Sequence, residues 1–257
     1  MMVKKSLITG LALLTALPLF AVKGTLRTEA DSKSGDIKWQ PRAKKYTVTF
    51  KKGQTTVNAE YPLADVVELS IPKPEGFDKA AEQVAAGHGA GAIATLEKIL
   101  AEYRMLQWDK PAGRYLAMAY ISAGQAQKAY DTCRSIIADD KSAAWSGDLA
   151  AAYWQSLLKL GKTDQLENVL KKAATSGDRQ AAAAVCVMRG DIIMSEGNSP
   201  EILKRALRDG FLKASLMFTD PACARERAEA MLKAADCFEK LGQASRADKL
   251  RTKARAL

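Results

Sequence analysis

The chain has 257 residues, with 39 Lys and Arg against 29 Asp and Glu, a formal net charge of +10. Its 47% hydrophobic and 26% charged content is enough for a buried core and excludes wholesale disorder. A single histidine, with four cysteines that form no C-x-x-C pair, excludes the usual zinc and multi-histidine sites.

The first segment reads as a leader. Lys4 and Lys5 precede an uncharged, mostly apolar run from Ser6 to Phe20, with Pro18 near its end and the small Ala21 beyond. That order is the one a secretory signal has, and the run is short of the roughly 20 apolar residues a membrane span needs. The expected boundaries are a signal over 1–21, cleaved or retained as an N-terminal anchor, and a location in the periplasm or cell envelope. No cysteine follows the apolar run, so a lipoprotein anchor is not expected. Export places Cys133, Cys186, Cys223 and Cys237 where disulfides are permitted. Two readings stand: four small buried apolar residues, or a bridge from Cys186 to Cys223 or Cys237. The last two share one predicted helix, about 21 Å apart, too far to bridge each other.

Residues 22–71 read as a β-module. Gly24–Thr28, Gly35–Trp39, Thr47–Phe50, Thr55–Val57 and Leu63–Ile71 are strand-like, and Lys51-Lys52-Gly53-Gln54 reads as a hairpin turn. The order Gly-x-Ile, Tyr-x-Val, hairpin, Leu-x-Asp-Val-x-x-Leu rests on Gly35, Ile37, Tyr46, Val48, Leu63, Asp65, Val66 and Leu69. The strands predict a small curled sheet or open barrel, and their order resembles small SH3-like or Sm-like barrels. The Sm-like resemblance implies nucleic acid, but the excess of ten basic over seven acidic residues from Val22 to Glu75 is too small to support it, and export opposes it. No nucleic-acid partner is expected; the plain role is to cap a helical array. Pro72-Lys73-Pro74-Glu75-Gly76 forms a linker over 72–76.

From residue 77 to 257 alanine is abundant and a pattern recurs. Turn glycines stand at Gly87, Gly124, Gly161, Gly197 and Gly242, spaced 37, 37, 36 and 45 residues apart. Five places after each comes a small or apolar residue: Ala92, Ala129, Leu166, Ile202 and Ala247. Seven places before each come Ala80, Ala117, Trp154, Gly190 and Ala235, four of them small. Four places before come Gln83, Tyr120, Leu157, Ile193 and Phe238, four of them large and apolar. A period of this length predicts stacked helical hairpins. The set resembles the tetratricopeptide repeat family from Gly76 to Leu257. The resemblance implies a mainly α fold, a right-handed α–α superhelix of about five degenerate hairpins, with a groove that binds protein. The departures are Trp154 at a small position, closing prolines only at Pro111 and Pro221, and the long interval around Pro200–Phe218.

No catalytic constellation stands out. His88 lies in a Gly-rich turn that lacks the Lys-Ser/Thr ending of a phosphate loop. No enzyme activity, cofactor or metal is expected. Candidate partner-binding residues are the aromatics Tyr120, Trp145 and Tyr153, since Tyr and Trp dominate interface hot spots, and the cations Arg246, Lys249 and Arg251 of the last helix. The charge is uneven: 14 basic and 14 acidic residues over 76–198, but 13 against 8 over 199–257. The expected function is a non-catalytic envelope scaffold that binds a protein or peptide. The alternative is a binder of anionic cell-wall or surface polysaccharide through the basic C-terminal region.

Overall fold

The computed structural model describes residues 21–257; the expected signal over 1–21 lies outside them except for Ala21. The chain forms two compact units, one ending at Pro72 and the other starting at Lys73.

The first unit is a five-stranded antiparallel sheet: β1 (Val22–Thr28), β2 (Ser32–Gln40), β3 (Lys45–Lys52), β4 (Thr55–Pro62) and β5 (Val66–Ser70). Its order is β4-β3-β2-β1-β5. Period-two alternation puts Leu26, Ile37, Trp39, Tyr46 and Val48 inside, with Ile71 just beyond β5. Trp39 and Tyr46, paired across β2 and β3, hold ring centroids 4.8 Å apart. The β3–β4 hairpin closes on Gly53 and Gln54, with Gly53 at φ 66, a twist that matches the flanking strands. One expectation is revised. Leu63–Asp65 is a single 3-10 turn rather than the start of a strand, and Leu63 is exposed. Pro62 has no N–H to continue the ladder, and the Leu63 amide turns instead to the Lys44 carbonyl at 3.0 Å.

The second unit is helical: α1 (Phe77–Ala85), α2 (Ile93–Glu102), α3 (Asp109–Ser122), α4 (Ala126–Asp139), α5 (Ala150–Lys159), α6 (Thr163–Thr175) and α7 (Arg179–Met194). Then come α8 (Pro200–Ala206), α9 (Leu212–Met217), α10 (Ala224–Lys240) and α11 (Ala244–Arg255). Within the described residues these make five hairpins, each turning at one of the five spaced glycines. The fold is mainly α and tetratricopeptide-like, preceded by a small antiparallel sheet.

Four of the turns close identically. At Gly124 (φ 72) the glycine amide donates to the Ile121 carbonyl and the Gln125 amide to the Tyr120 carbonyl at 2.8 Å. The same pair of bonds recurs at Gly87, Gly161 and Gly242. This is the Schellman cap, which satisfies the last helix carbonyls and needs a left-handed residue. Gly197, at φ 144, makes only the shorter bond; there Ser199 caps α8 instead, accepting from the Ile202 amide. The small residues seven places before the turns, Ala80, Ala117, Gly190 and Ala235, are all buried. Trp154 fits its small position because a 3-10 turn over Lys141–Ala144 precedes α5, and its indole donates to the Ala144 carbonyl at 2.8 Å.

The long fourth interval is a split second helix. Leu207–Phe211 forms a π turn between α8 and α9. A Cβ on Gly210 would stand 2.5 Å from the Gly190 Cα, and one on Gly190 would strike the Phe211 ring, so two backbones meet there. The four cysteines are free; burial pushes the Cys133 thiol up to about 12 and the Cys237 thiol to about 11. Cys223 ends a 3-10 turn at the head of α10, whose body carries Cys237.

Replacing Gly210 with Ala forces a methyl into backbone and is expected to lower stability by ~2–3 kcal/mol. Gly124→Ala strains only a left-handed turn and is expected to cost about 1 kcal/mol. Urea unfolding of both variants checks the order; equal losses would mean that the Gly190–Gly210 contact is not close.

Candidate protein-interaction surfaces

Two of the predicted aromatics, Tyr120 and Tyr153, fall inside the hairpins. The Tyr120 ring is buried, its hydroxyl donating to Glu97, and burial with that carboxylate pushes its pKa up to about 12. Tyr153 is buried too, stacked on Tyr130 with centroids 5.9 Å apart, and its hydroxyl accepts from the Gln165 amide at 2.6 Å. Both rings serve to lock one hairpin to the next. Trp145 is half-buried: it packs on the core, while the Lys172 ammonium sits 5.0 Å from its ring centre.

The predicted cations are on α11, on a different helix from any of those rings. Arg251 is tied to Asp236 at 3.0 Å and also to Glu239. Arg246 lies over the Phe238 ring at 5.7 Å and donates to the Gln243 side chain at 2.8 Å. Lys249 is exposed.

The structure instead gathers polar groups along the first helices of successive hairpins. Arg114 of α3, Gln155 of α5, Asp191 of α7, and Arg225, Glu226 and Glu229 of α10 line one narrow cleft of about 30 Å³ beside Trp154. Asp191 accepts from the Gln155 amide and from the Lys233 ammonium, both at 2.5 Å. Burial pushes the Asp191 carboxyl upward, against the pull of Lys233. Lys233 also meets Glu229 at 3.0 Å. Arg225 bridges Asp148 at 2.5 Å and Glu226 at 2.7 Å, and Gln180 donates to Glu226 at 3.2 Å. The second Glu226 oxygen is buried with no hydrogen-bond partner. Arg114 has no carboxylate partner among the described residues; its guanidinium lies 5.1 Å from the Tyr115 ring centre.

Reading the helices for apolar periodicity passed over this set, because charges among alanines read as a solvated face. The available signal was register: Gln155 and Asp191 both stand six places before a turn glycine, next to the buried small position. Among the described residues there is no group of three or more His, Cys, Asp and Glu placed to hold a metal ion. No described helix is long and apolar enough to cross a membrane.

No family model and no curated protein matches the chain. Among solved structures, MamA MSR-1 C2 is 19% identical, covering 70% of this chain and 94% of its own, with a TM-score of 0.36. A variant of a Podosopora anserina chain, described as a kinesin light chain with nearly identical TPR-like repeats, is 17% identical. It covers 70% of this chain and 91% of its own, with a TM-score of 0.39.

Lys233→Met leaves the Asp191 charge without its cation and is expected to destabilise the chain by about 3 kcal/mol. Adding Asp191→Leu removes the stranded charge and is expected to restore most of that loss. Urea unfolding of the two single variants and the double variant measures this; additive losses would show that the pair is not coupled.

Proposed function

We propose that the chain is a non-catalytic scaffold of the cell envelope that binds a segment of another protein across the first helices of its hairpins. The observation that carries this reading is the polar row on α3, α5, α7 and α10. Its side chains are fixed by bonds between hairpins: Gln155 to Asp191, Lys233 to Asp191, and Arg225 on α10 to Asp148 just before α5. Side chains held in this way lose little freedom when a partner arrives, which favours affinity. Arg114 adds one donor group not spent on a carboxylate of the chain.

Export rests on the Lys4-Lys5, apolar run and Ala21 order. For the β-module we favour an SH3-like small barrel: its strand order β4-β3-β2-β1-β5, with a 3-10 turn between β4 and β5, supports that reading over a curled sheet. The polysaccharide reading is weaker, because Arg251, one of its three cations, is already engaged by Asp236 and Glu239.

The test is capture from an envelope extract by the immobilised chain over a salt series, comparing the unaltered chain with Arg114→Glu and with Lys171→Glu on the exposed side of α6. One protein held at high salt by the unaltered chain and by K171E, but at least tenfold less by R114E, is the expected result. Capture indifferent to R114E would overturn the reading. So would retention of anionic polymer alone, lost as salt rises.

A further inference from the structure

The split second helix of the fourth hairpin makes a surface that a regular repeat would not have. The Gly190–Gly210 contact holds the π turn against α7, and α9 then packs on α10 through the buried Ala214 and Ser215. Leu216 and Met217 are left outside, 72% and 60% exposed, where a repeat helix would bury its apolar stripe. They border an open groove of about 520 Å³ between the π turn, α9, α10 and α11, lined on its apolar side by Leu207, Leu212 and Phe238. Its remaining lining residues are all cations: Lys204, Arg208, Lys213 and Arg246. Among the described residues no carboxylate lines it. Arg208 pairs only with its own neighbour, the exposed Asp209, at 2.7 Å. Lys204 and Lys213 form no close ion pair among the described residues, though Lys204 acts through space on Glu201 and Lys213 on Asp209. Helix irregularities of this π kind concentrate at functional sites.

We infer that this groove binds an acidic amphipathic helix of another protein, which inserts large apolar side chains between Leu216, Met217 and Phe238 and sets its carboxylates against the four cations. Charge complementarity selects this occupant. A second copy of the chain, docked by two-fold symmetry, would bring the same cations face to face. An anionic membrane surface would meet the same cations and is therefore an arm of the test, while the buried Leu207 and half-buried Phe238 on the floor of the groove favour an inserted side chain. The surface is separate from the first-helix face, so the inference stands or falls independently of the function proposed above.

The test uses the full chain and a labelled synthetic peptide of Glu and Asp with Leu and Phe at i, i+3, i+4 and i+7, read by fluorescence anisotropy over a salt series. Comparisons are the same peptide with Lys in place of its acids, and vesicles of phosphatidylglycerol. Saturable binding of the acidic peptide is expected, and none of the basic one. Lys204→Glu with Lys213→Glu should weaken binding of the acidic peptide at least tenfold and flatten its salt dependence. Leu216→Ser with Met217→Ser should weaken it tenfold with the salt slope unchanged; these are exposed positions, so the fold is kept. R114E should leave binding unaltered. Equal binding of both peptides, binding that survives L216S/M217S, loss of binding in R114E, or sedimentation with the vesicles without peptide binding would each overturn the inference. Self-association abolished by L216S/M217S would overturn it in favour of a second copy.

Discussion

The helical unit depends on one hydrogen bond repeated at four of its five described turns, from the amide just after the turn glycine to the carbonyl four places before that glycine. It ends the first helix at a fixed place and releases the chain in a fixed direction. The residue seven places before the glycine then always faces the partner helix, and the one five places after always starts the next apolar stripe. Ala117 with Ala129, and Ala235 with Ala247, show the result: each is fully buried. Because the register is shared, the first helices of successive hairpins present equivalent positions side by side, and Gln155 can reach Asp191 although 36 residues separate them.

The turn glycines, the buried small positions and most of the strands were legible in the sequence because each follows from local chemistry. Gly53 and Gly124 stand where L-residues are strained, and Ile37 and Trp39 alternate with polar neighbours. Features set by tertiary context were not legible. Tyr153 reads as an interface anchor until Tyr130 and Gln165 are seen to enclose it. Leu63 reads as strand until Pro62 is seen to end the ladder. The long interval announced an irregularity near residue 210, but not that Gly190 and Gly210 touch. That contact joins residues twenty positions apart and has no periodic signature.

The irregular hairpin and the regular ones divide the surface by physics. Where the repeat is regular, most large apolar side chains are consumed in packing, and the first-helix face carries charges that neutralise one another, as Asp191 and Lys233 do. Where it is interrupted, Leu216 and Met217 are left exposed, among cations of which Lys204 and Lys213 form no close ion pair. The first surface suits recognition by ordered hydrogen bonds, the second by insertion and charge, and the two need not share a partner.

The most direct measurement is photo-cross-linking in the native cell, with a photoreactive residue placed at Ala151 or Ala184 in the first-helix cleft, and at Lys98 or Lys171 on exposed parts of α2 and α6. One shared protein adduct from the two cleft positions, and none from the two second-helix positions, is the predicted result. Adducts from Lys98 and Lys171 with none from the cleft would contradict it, because the partner would then be read by the helices that the shared register leaves outside.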